Sequence, residues 1–580
     1  MDKIFGTLSE FFTTNLDGDI SGMHLGAGIA CVEFQKNVIQ YGGFDCCHYL
    51  LGRGRQSDED IAKYIGSQGW DPRKILIYDG ALPLSRLQKN NYHVIHTPNM
   101  SIGDLFALRH VLGHPLAPGT AMTHTVSYAW FMKTWTEFLL NDVLPCDAIV
   151  CTSRAGREVL ERSFELLSER LSSRLGVTVP GFKGSLEIIP LGVDVEYWRP
   201  ENNKEEAKKR LGLSEQACLI LCQARFSPQD KMDLRPLLMT VRRLQDVLGS
   251  DLFQVAFVGD DGRTEGRESK RLKELVNELG LSQVVRIDTN GFASTIREYY
   301  RAADVFVSLV DNIQETFGLT VIQAMACGLP VIVSDWDGYK DTVVHGETGL
   351  RVRTYWADCD NQISGLACRR PWTVDHLLLA ESVAVDMDEA FRYLYDLTRS
   401  PDTRRRMGEA GRKRAEEVYA WPVVIKRYTE LWDACREKFE HLDLEQWKCS
   451  NRAGLFAPAY FQQFSHYPSA LISPETQLAP LCKGADLASA ERPTREVHLP
   501  PEMATVFRPA IFQDLTSRLS DWPVTFGSLV EEVSRKHEQP PDVIARHIMW
   551  LIKYGAVKPI APTPNVHSVI AKEAAAVHGA

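Results

Sequence analysis

Short apolar runs alternate with amphipathic stretches over most of the chain. In the first third they are FDCCHYLL (44–51), KILIYD (74–79), YHVIHT (92–97), AMTHTV (121–126), DAIVCTS (147–153) and LEIIPLG (186–192). Between them ALRHVLG and the long stretch 157–175 carry helical spacing. Strand-like runs separated by helices, with few hairpin signals, predict a parallel sheet covered on both faces. After Trp198-Arg199-Pro200 the pattern restarts. CLILCQAR (218–225), QVAFVGD (254–260), VVRI (284–287), DVFVSLV (304–310) and PVIVSD (330–335) predict a second parallel sheet, with helices over 235–248 and 268–280 between its strands. Two doubly wound α/β domains in tandem leave a cleft between them, and ligands of such sheets bind beyond the carboxyl ends of the strands.

Residues 402–437 read as helix, broken at Pro422. The stretch 440–494 is richer in proline and serine and reads as a connector. Residues 495–561 read as short helices ending in KYGAVKPI, a small winged-helix-like module, and the alanine-rich tail 562–580 as frayed. The expected division is therefore 1–198 for the first Rossmann-like domain, 199–400 for the second, and 401–439 for helices packing back on the first.

Composition narrows the function. The 580 residues are 44% hydrophobic and 24% charged, enough apolar content for packed cores. A net charge of −10 speaks against a general electrostatic grip on nucleic acid or anionic lipid. In the C-terminal module eight basic and eight acidic residues cancel, which favours a packing or partner-docking role over DNA reading. No apolar run approaches the ~20 residues that span a bilayer. The N-terminus lacks the regions of a secretory signal. Thirteen cysteines without a CxxC pair read as buried thiols, so a cytoplasmic location is expected, with peripheral attachment at the inner membrane face left open.

The segment NIQETFGLTVIQAMACGLPVIVSDWDGYKDTVVHGETGLRV (312–352) carries the densest chemistry. A loop holding Glu315 leads into a helix that starts near Gly318 and stops at Gly328-Leu329-Pro330. A glycine at a helix start lets a phosphate approach free N–H groups; an ordinary strand–helix–strand unit explains the same pattern.

This segment resembles the signature of GT-B glycosyltransferases of the retaining family 4 type, in which a Glu, seven residues and a second Glu flank a Phe-Gly-Leu turn. AMACGLPVI, GETGL, IIPLGVDVEYWRP (188–200), FVGDDGRTEGRESKRLKELVNELGL (257–281) and YYRAADVFVSLV (299–310) are similar to further parts of the family, over roughly residues 20–435. The resemblance implies an α/β GT-B fold of two Rossmann-like domains. It also implies retaining transfer from a nucleoside-diphosphate sugar, a UDP-sugar being favoured, by front-face departure with no metal or other cofactor. Glu315 and His124 would orient the sugar. Arg225, Lys231 and the backbone at Gly318, Leu319 and Thr320 would hold the diphosphate. The family's second Glu is here Gln323, at the ribose clamp, where charge assistance is lost. Gly26, Ala27 and Gly28, in the turn from Met23, resemble the family's N-terminal glycine loop, and a plain helix start is an equal reading. Asp341 occupies a place similar to an acidic residue near the cleft. His96 and His110 carry no such support.

The pairs Asp17/Asp19 and Asp358/Asp360 have the spacing of an Asp-x-Asp metal site but follow no buried strand, and read as solvated acids. The acceptor is left open as a glycan, a lipid-linked saccharide or a small molecule, with surface-polysaccharide assembly as the nearest analogy. Two rival readings remain: a catalytically silent GT-B scaffold that binds a protein partner through residues 440–561, and a sugar-nucleotide epimerase or phosphorylase.

Overall fold

A computed structural model describes residues 2–11, 26–50, 57–78, 87, 89–99, 102–261, 265–289, 293–359, 363, 365, 374–444, 460–481, 507–519 and 524–560. They fall into two compact units, one within Met1–Ile77 and Gln88–Leu455, the other within Tyr78–Leu87 and Phe456–Ala580.

The first unit holds two parallel sheets. Strands β1 (Ile4–Thr7), β2 (Cys46–Tyr49), β3 (Ile75–Ile77), β4 (Tyr92–Thr97), β5 (Gly119–Met122), β6 (Ala148–Cys151) and β7 (Ser185–Ile188) lie in the order β3-β2-β1-β4-β5-β6-β7. Strands β8 (Cys218–Gln223), β9 (Phe253–Val258), β10 (Val285–Asp288), β11 (Val305–Ser308), β12 (Val331–Ser334) and β13 (Gly349–Val352) form the second, in the order β10-β9-β8-β11-β12-β13. Both orders reverse direction about the first strand, so each sheet has one topological switch point: β1/β4 in the first, β8/β11 in the second. β11 and β12 are buried along their whole length, as continuous apolar runs covered on both faces require. These are two tandem Rossmann-like sheets, the GT-B arrangement.

The sequence pattern did not reveal β1, the centre of the first sheet. Its four residues, IFGT, are too short to show periodicity, and Gly6 interrupts them because a Cβ there would stand 2.9 Å from the Tyr92 ring. The AMTHTV strand stops at Met122, which puts His124 in the loop beyond β5.

The chain crosses between the sheets twice. After helix Pro401–Arg414 comes a π-helical turn, Ala415–Tyr419, and the break falls at Ala420. Pro422 begins the next helix, Trp421–Glu440, instead of ending one, because a first-turn proline has no hydrogen bond to lose. That helix returns to the first sheet. Trp432 Nε1 donates to Thr120 Oγ1 at 3.1 Å, and the indole sits 5.2 Å from the Phe5 ring. The two crossings touch where Val193 N donates to Tyr419 O at 2.7 Å.

An antiparallel pair, β14 (Thr354–Trp356) and β15 (Val383–Val385), frames an excursion at the edge of the second sheet; helix Val374–Glu381 lies within it. In the second unit, helices Pro509–Leu519, Phe526–His537 and Pro541–Lys553 pack on strands β16 (Gln477–Pro480), β17 (Val524–Thr525) and β18 (Val557–Pro559), ordered β17-β16-β18. Leu478 of β16 is fully buried with Ile511, Leu515 and Ile548. The second unit thus draws a strand, β16, from the stretch that sequence alone assigns to a connector. Sequence analysis misses that strand because Gln477–Pro480 is a four-residue run ending in proline.

Candidate functional site

Arg225 and Lys231 lie in the loop after β8, and Glu315 in the loop after β11, so the two loops meet at the second sheet's switch point. The Lys231 ammonium donates to Glu315 Oε2, and both side chains are about 15% exposed. The other carboxylate oxygen, Oε1, accepts from the backbone N–H groups of Thr316 (3.3 Å), Phe317 (3.3 Å) and Gly318 (3.0 Å). Burial alone would raise the Glu315 carboxyl, but Lys231 and the Phe317 and Gly318 amides outweigh it and hold the group below its ordinary range. The start of helix Leu319–Ala326 therefore already cradles one anion, supplied by the chain itself.

Close backbone packing shapes the cradle. Gly318 has φ +96°, and a Cβ there would lie 2.3 Å from Cε1 of Tyr339, whose hydroxyl is 2.8 Å from the Ser308 hydroxyl. Gly338 presses on the same turn, since its Cβ would stand 2.3 Å from Thr316 O. The neighbouring Asp337 carboxyl is held well above its usual range by burial and by the Glu315 charge.

Arg225 reaches Asp230 (3.3 Å) within its own loop. Asn312 ties the two loops together: its Nδ2 donates to Gln229 O at 2.5 Å and its Oδ1 accepts from Gln314 N at 2.9 Å. Beside it, burial pushes the Asp311 carboxyl up to about 7; a 3.4 Å contact from Asp233 N–H opposes that rise and the Asp233 charge adds to it. Thr320 sits in the first helical turn with Oγ1 buried and unpartnered, while Gln323 lies half-buried one turn on. The Tyr300 hydroxyl bridges Gln223 Oε1 and Thr320 O, each at 3.2 Å.

The first domain meets this loop directly. Thr316 Oγ1 donates to His124 O, and Gln314 Nε2 donates to the Tyr128 hydroxyl at 3.0 Å. His124 thus reaches the Glu315 loop through its backbone. Its ring turns inward, with Nε2 2.6 Å from Pro98 O and 3.3 Å from Cys31 Sγ, and burial lowers its pKa. Asp341 faces Arg154 of the first domain, Nε to Oδ1 at 2.6 Å, making an interdomain ion pair.

Gly26, Ala27 and Gly28 lie in helix Gly26–Tyr41; Met23–Leu25 lie outside the described residues. Asp17, Asp19 and Asp360 also lie outside them, and Asp358 follows β14. His96 is buried against Thr120 Oγ1 at 2.8 Å, and His110 pairs with Asp142 at 2.9 Å, so both serve the first domain's interior. Sequence reading missed Asp311, Asn312, Gln314, Tyr128 and Asp337. The only available signal was the polar run DNIQE directly after a buried strand.

Residues 203–365, which contain this site apart from the first-domain contacts, match the family model for glycosyl transferases group 1. The segment that carries the second sheet is thus similar to glycosyl transferases group 1. Among curated relatives, the D-inositol 3-phosphate glycosyltransferase of Geodermatophilus obscurus is 33% identical over 167 residues, 28% of this chain and 36% of that protein. The protein of the same name from Stackebrandtia nassauensis is 29% identical over 273 residues, 46% of this chain and 58% of the relative. The chain therefore spans less than two thirds of the length of either relative. Among solved structures, sucrose-phosphate synthase from Thermosynechococcus elongatus aligns with TM-score 0.47 and 20% identity, covering 76% of this chain and all of that one. Anabaena Alr3699/HepE, in complex with UDP and glucose, aligns with TM-score 0.49 and 14% identity over 74% of this chain and 99% of that one. Among the described residues no helix is long and apolar enough to cross a membrane.

Proposed function

We propose that the protein is a retaining glycosyltransferase that moves a sugar from a nucleoside-diphosphate sugar, a UDP-sugar being favoured, to a glycan, lipid-linked or small-molecule acceptor without a metal ion. The observation that carries this reading is the anion cradle at Thr316–Gly318, set against Lys231 at the switch point. A site that holds a carboxylate by amides and an ammonium supplies the groups that stabilise a departing diphosphate.

In this reading Arg225, Lys231 and the first-turn amides at Gly318, Leu319 and Thr320 hold the diphosphate, and Gln323 holds the ribose. Glu315 orients the sugar, and His124, whose ring packs on Pro98 and Cys31, holds the Glu315 loop through its backbone carbonyl. The bond from the anomeric carbon to the diphosphate oxygen breaks, and the acceptor oxygen bonds to that carbon on the same face. The leaving phosphate takes the acceptor's proton, so the nucleoside diphosphate departs and configuration is retained. Closure of the two domains over the donor excludes water and limits hydrolysis.

One observation favours a second reading. Gln323 stands where the resembled family has a carboxylate, as a scaffold without catalysis would allow. Thermal-shift measurements with UDP, GDP, ADP and their sugar conjugates, with and without EDTA, separate the two. A selective, EDTA-insensitive stabilisation together with turnover lost in Glu315→Ala is expected. No shift with any nucleotide would move the scaffold reading to the front.

A further inference from the structure

Among the buried acceptor atoms of the second domain that have no hydrogen-bond partner are Gln314 Oε1, Asp375 Oδ1 and His376 Nδ1. Asp375 is 4% exposed and His376 1% exposed, so water does not satisfy them from outside. Two of the three residues gather about one first-domain side chain. Gln314 donates through Nε2 to the Tyr128 hydroxyl, and the His376 ring packs 4.6 Å from the Tyr128 ring. His376 Nε2 lies 3.4 Å from Ser127 O, so Nε2 carries the proton toward that carbonyl and Nδ1 is left as a lone-pair acceptor. Gln314 directly precedes Glu315, which sets the group beside the reacting loop.

Buried polar atoms in native proteins are almost always satisfied, and an orphaned group calls for a missing partner. These three atoms are acceptors, so a missing partner must bring O–H or N–H donors. Tyr128, Gln314, Asp375 and His376 include no lysine or arginine, the residues that would mark a phosphate or carboxylate ligand. An uncharged polyol fits: each hydroxyl donates one hydrogen bond and accepts others.

We propose that Gln314 and His376, with Tyr128, form a subsite for the hydroxyls of a neutral saccharide acceptor. This rests on the sugar-transfer reading above. The same chemistry could be met by the donor's own hexose. The acceptor is the assignment made, because Ser127 and Tyr128 come from the first domain and Tyr128 meets the Glu315 loop through Gln314.

The test is ligand-observed NMR on the full chain with saturating UDP, using methyl α-D-glucopyranoside, methyl α-D-mannopyranoside and methyl β-D-galactopyranoside, with myo-inositol 1-phosphate as the charged comparator. At least one glycoside is expected to receive saturation and to bind in preference to the inositol phosphate. His376→Ala and Gln314→Leu should each weaken that binding tenfold or more. His376→Gln keeps an acceptor and should weaken it less than threefold, which separates the lost hydrogen bond from a disturbed fold. The proposal is overturned if no glycoside binds, if the inositol phosphate binds better, or if His376→Ala and Gln314→Leu leave glycoside binding intact. It is also overturned if UDP-glucose displaces the glycoside where UDP does not, since the subsite would then belong to the donor hexose. If UDP fails to bind, the donor reading fails on its own, and glycoside binding with its loss in His376→Ala still decides the subsite.

Discussion

Lys231 and Glu315, 84 residues apart in the chain, form the ion pair that joins the loop after β8 to the loop after β11. Removing one partner of a buried pair leaves the other charge uncompensated, at a cost of about 3 kcal/mol. Lys231→Ala should therefore lower stability by about that amount in denaturant titration. The double variant Lys231→Ala/Glu315→Gln should recover part of it, because the orphaned charge is gone. The pair's contribution has a pH signature. The folded pKa of Glu315 is depressed, so its stabilisation is present above the unfolded value of about 4.3 and disappears as pH falls through the folded one. Equal stability of the two variants at pH 7 would refute this account.

Asp311 has the opposite sign. Its carboxyl titrates at about 7 in the folded chain, so between roughly pH 4 and 7 the folded state keeps a proton that the unfolded state releases. Stability is lost across that window as pH rises. Asp311→Asn removes the titration, keeps an acceptor for Asp233 N–H, and should raise stability at pH 8 by on the order of 2 kcal/mol while changing little at pH 4. Melting curves at the two pH values read it directly; a uniform shift would mean that the effect is not titration of this group.

Gly318→Ala tests the turn that carries the anion cradle. The left-handed backbone and the 2.3 Å approach to Tyr339 leave no room for a methyl group. Roughly 2–4 kcal/mol of destabilisation is expected, combining backbone strain with overpacking. Tyr339→Phe combined with Gly318→Ala should not rescue it, because the clash is with the ring and not the hydroxyl.

Gln323→Glu should strengthen nucleotide binding. A carboxylate accepting from ribose hydroxyls makes bonds about twice as strong as an amide's, which corresponds to a three- to tenfold lower Kd for UDP by calorimetry. The gain should shrink with 2′-deoxy-UDP, which removes one of the donating hydroxyls. An equal gain with both ligands would place the new charge away from the ribose.

The domain pattern was legible because buried parallel strands write themselves as continuous apolar runs. YHVIHT became β4 over the same six residues, and the helix at 235–248 kept its bounds. β1 and β16 were not legible, because four residues carry too little periodicity and their partners lie far along the chain. Glu315, Lys231 and Arg225 could be picked out by residue type and position after strands. The ring orientation of His124 could not, since it depends on Pro98 and Cys31 from other segments. Arg109 shows the same limit. As an arginine it belongs to a type that is mostly exposed, yet it is fully buried, with Nη1 2.7 Å from Asp147 Oδ2. Buried polar atoms are settled by three-dimensional pairing, and a linear pattern of hydrophobicity does not record it.

The contact between Val193 and Tyr419 has a mechanical meaning. Two covalent strands pass from one sheet to the other, and at this point they are bonded side by side. A single tether would leave the sheets free to twist and slide. Two tethers fastened together act like the two knuckles of one door hinge, and leave chiefly a swing about their shared line. The Arg154–Asp341 pair sits beside that line, since the Tyr419 hydroxyl donates to Asp341 O at 3.2 Å, and braces the hinge itself.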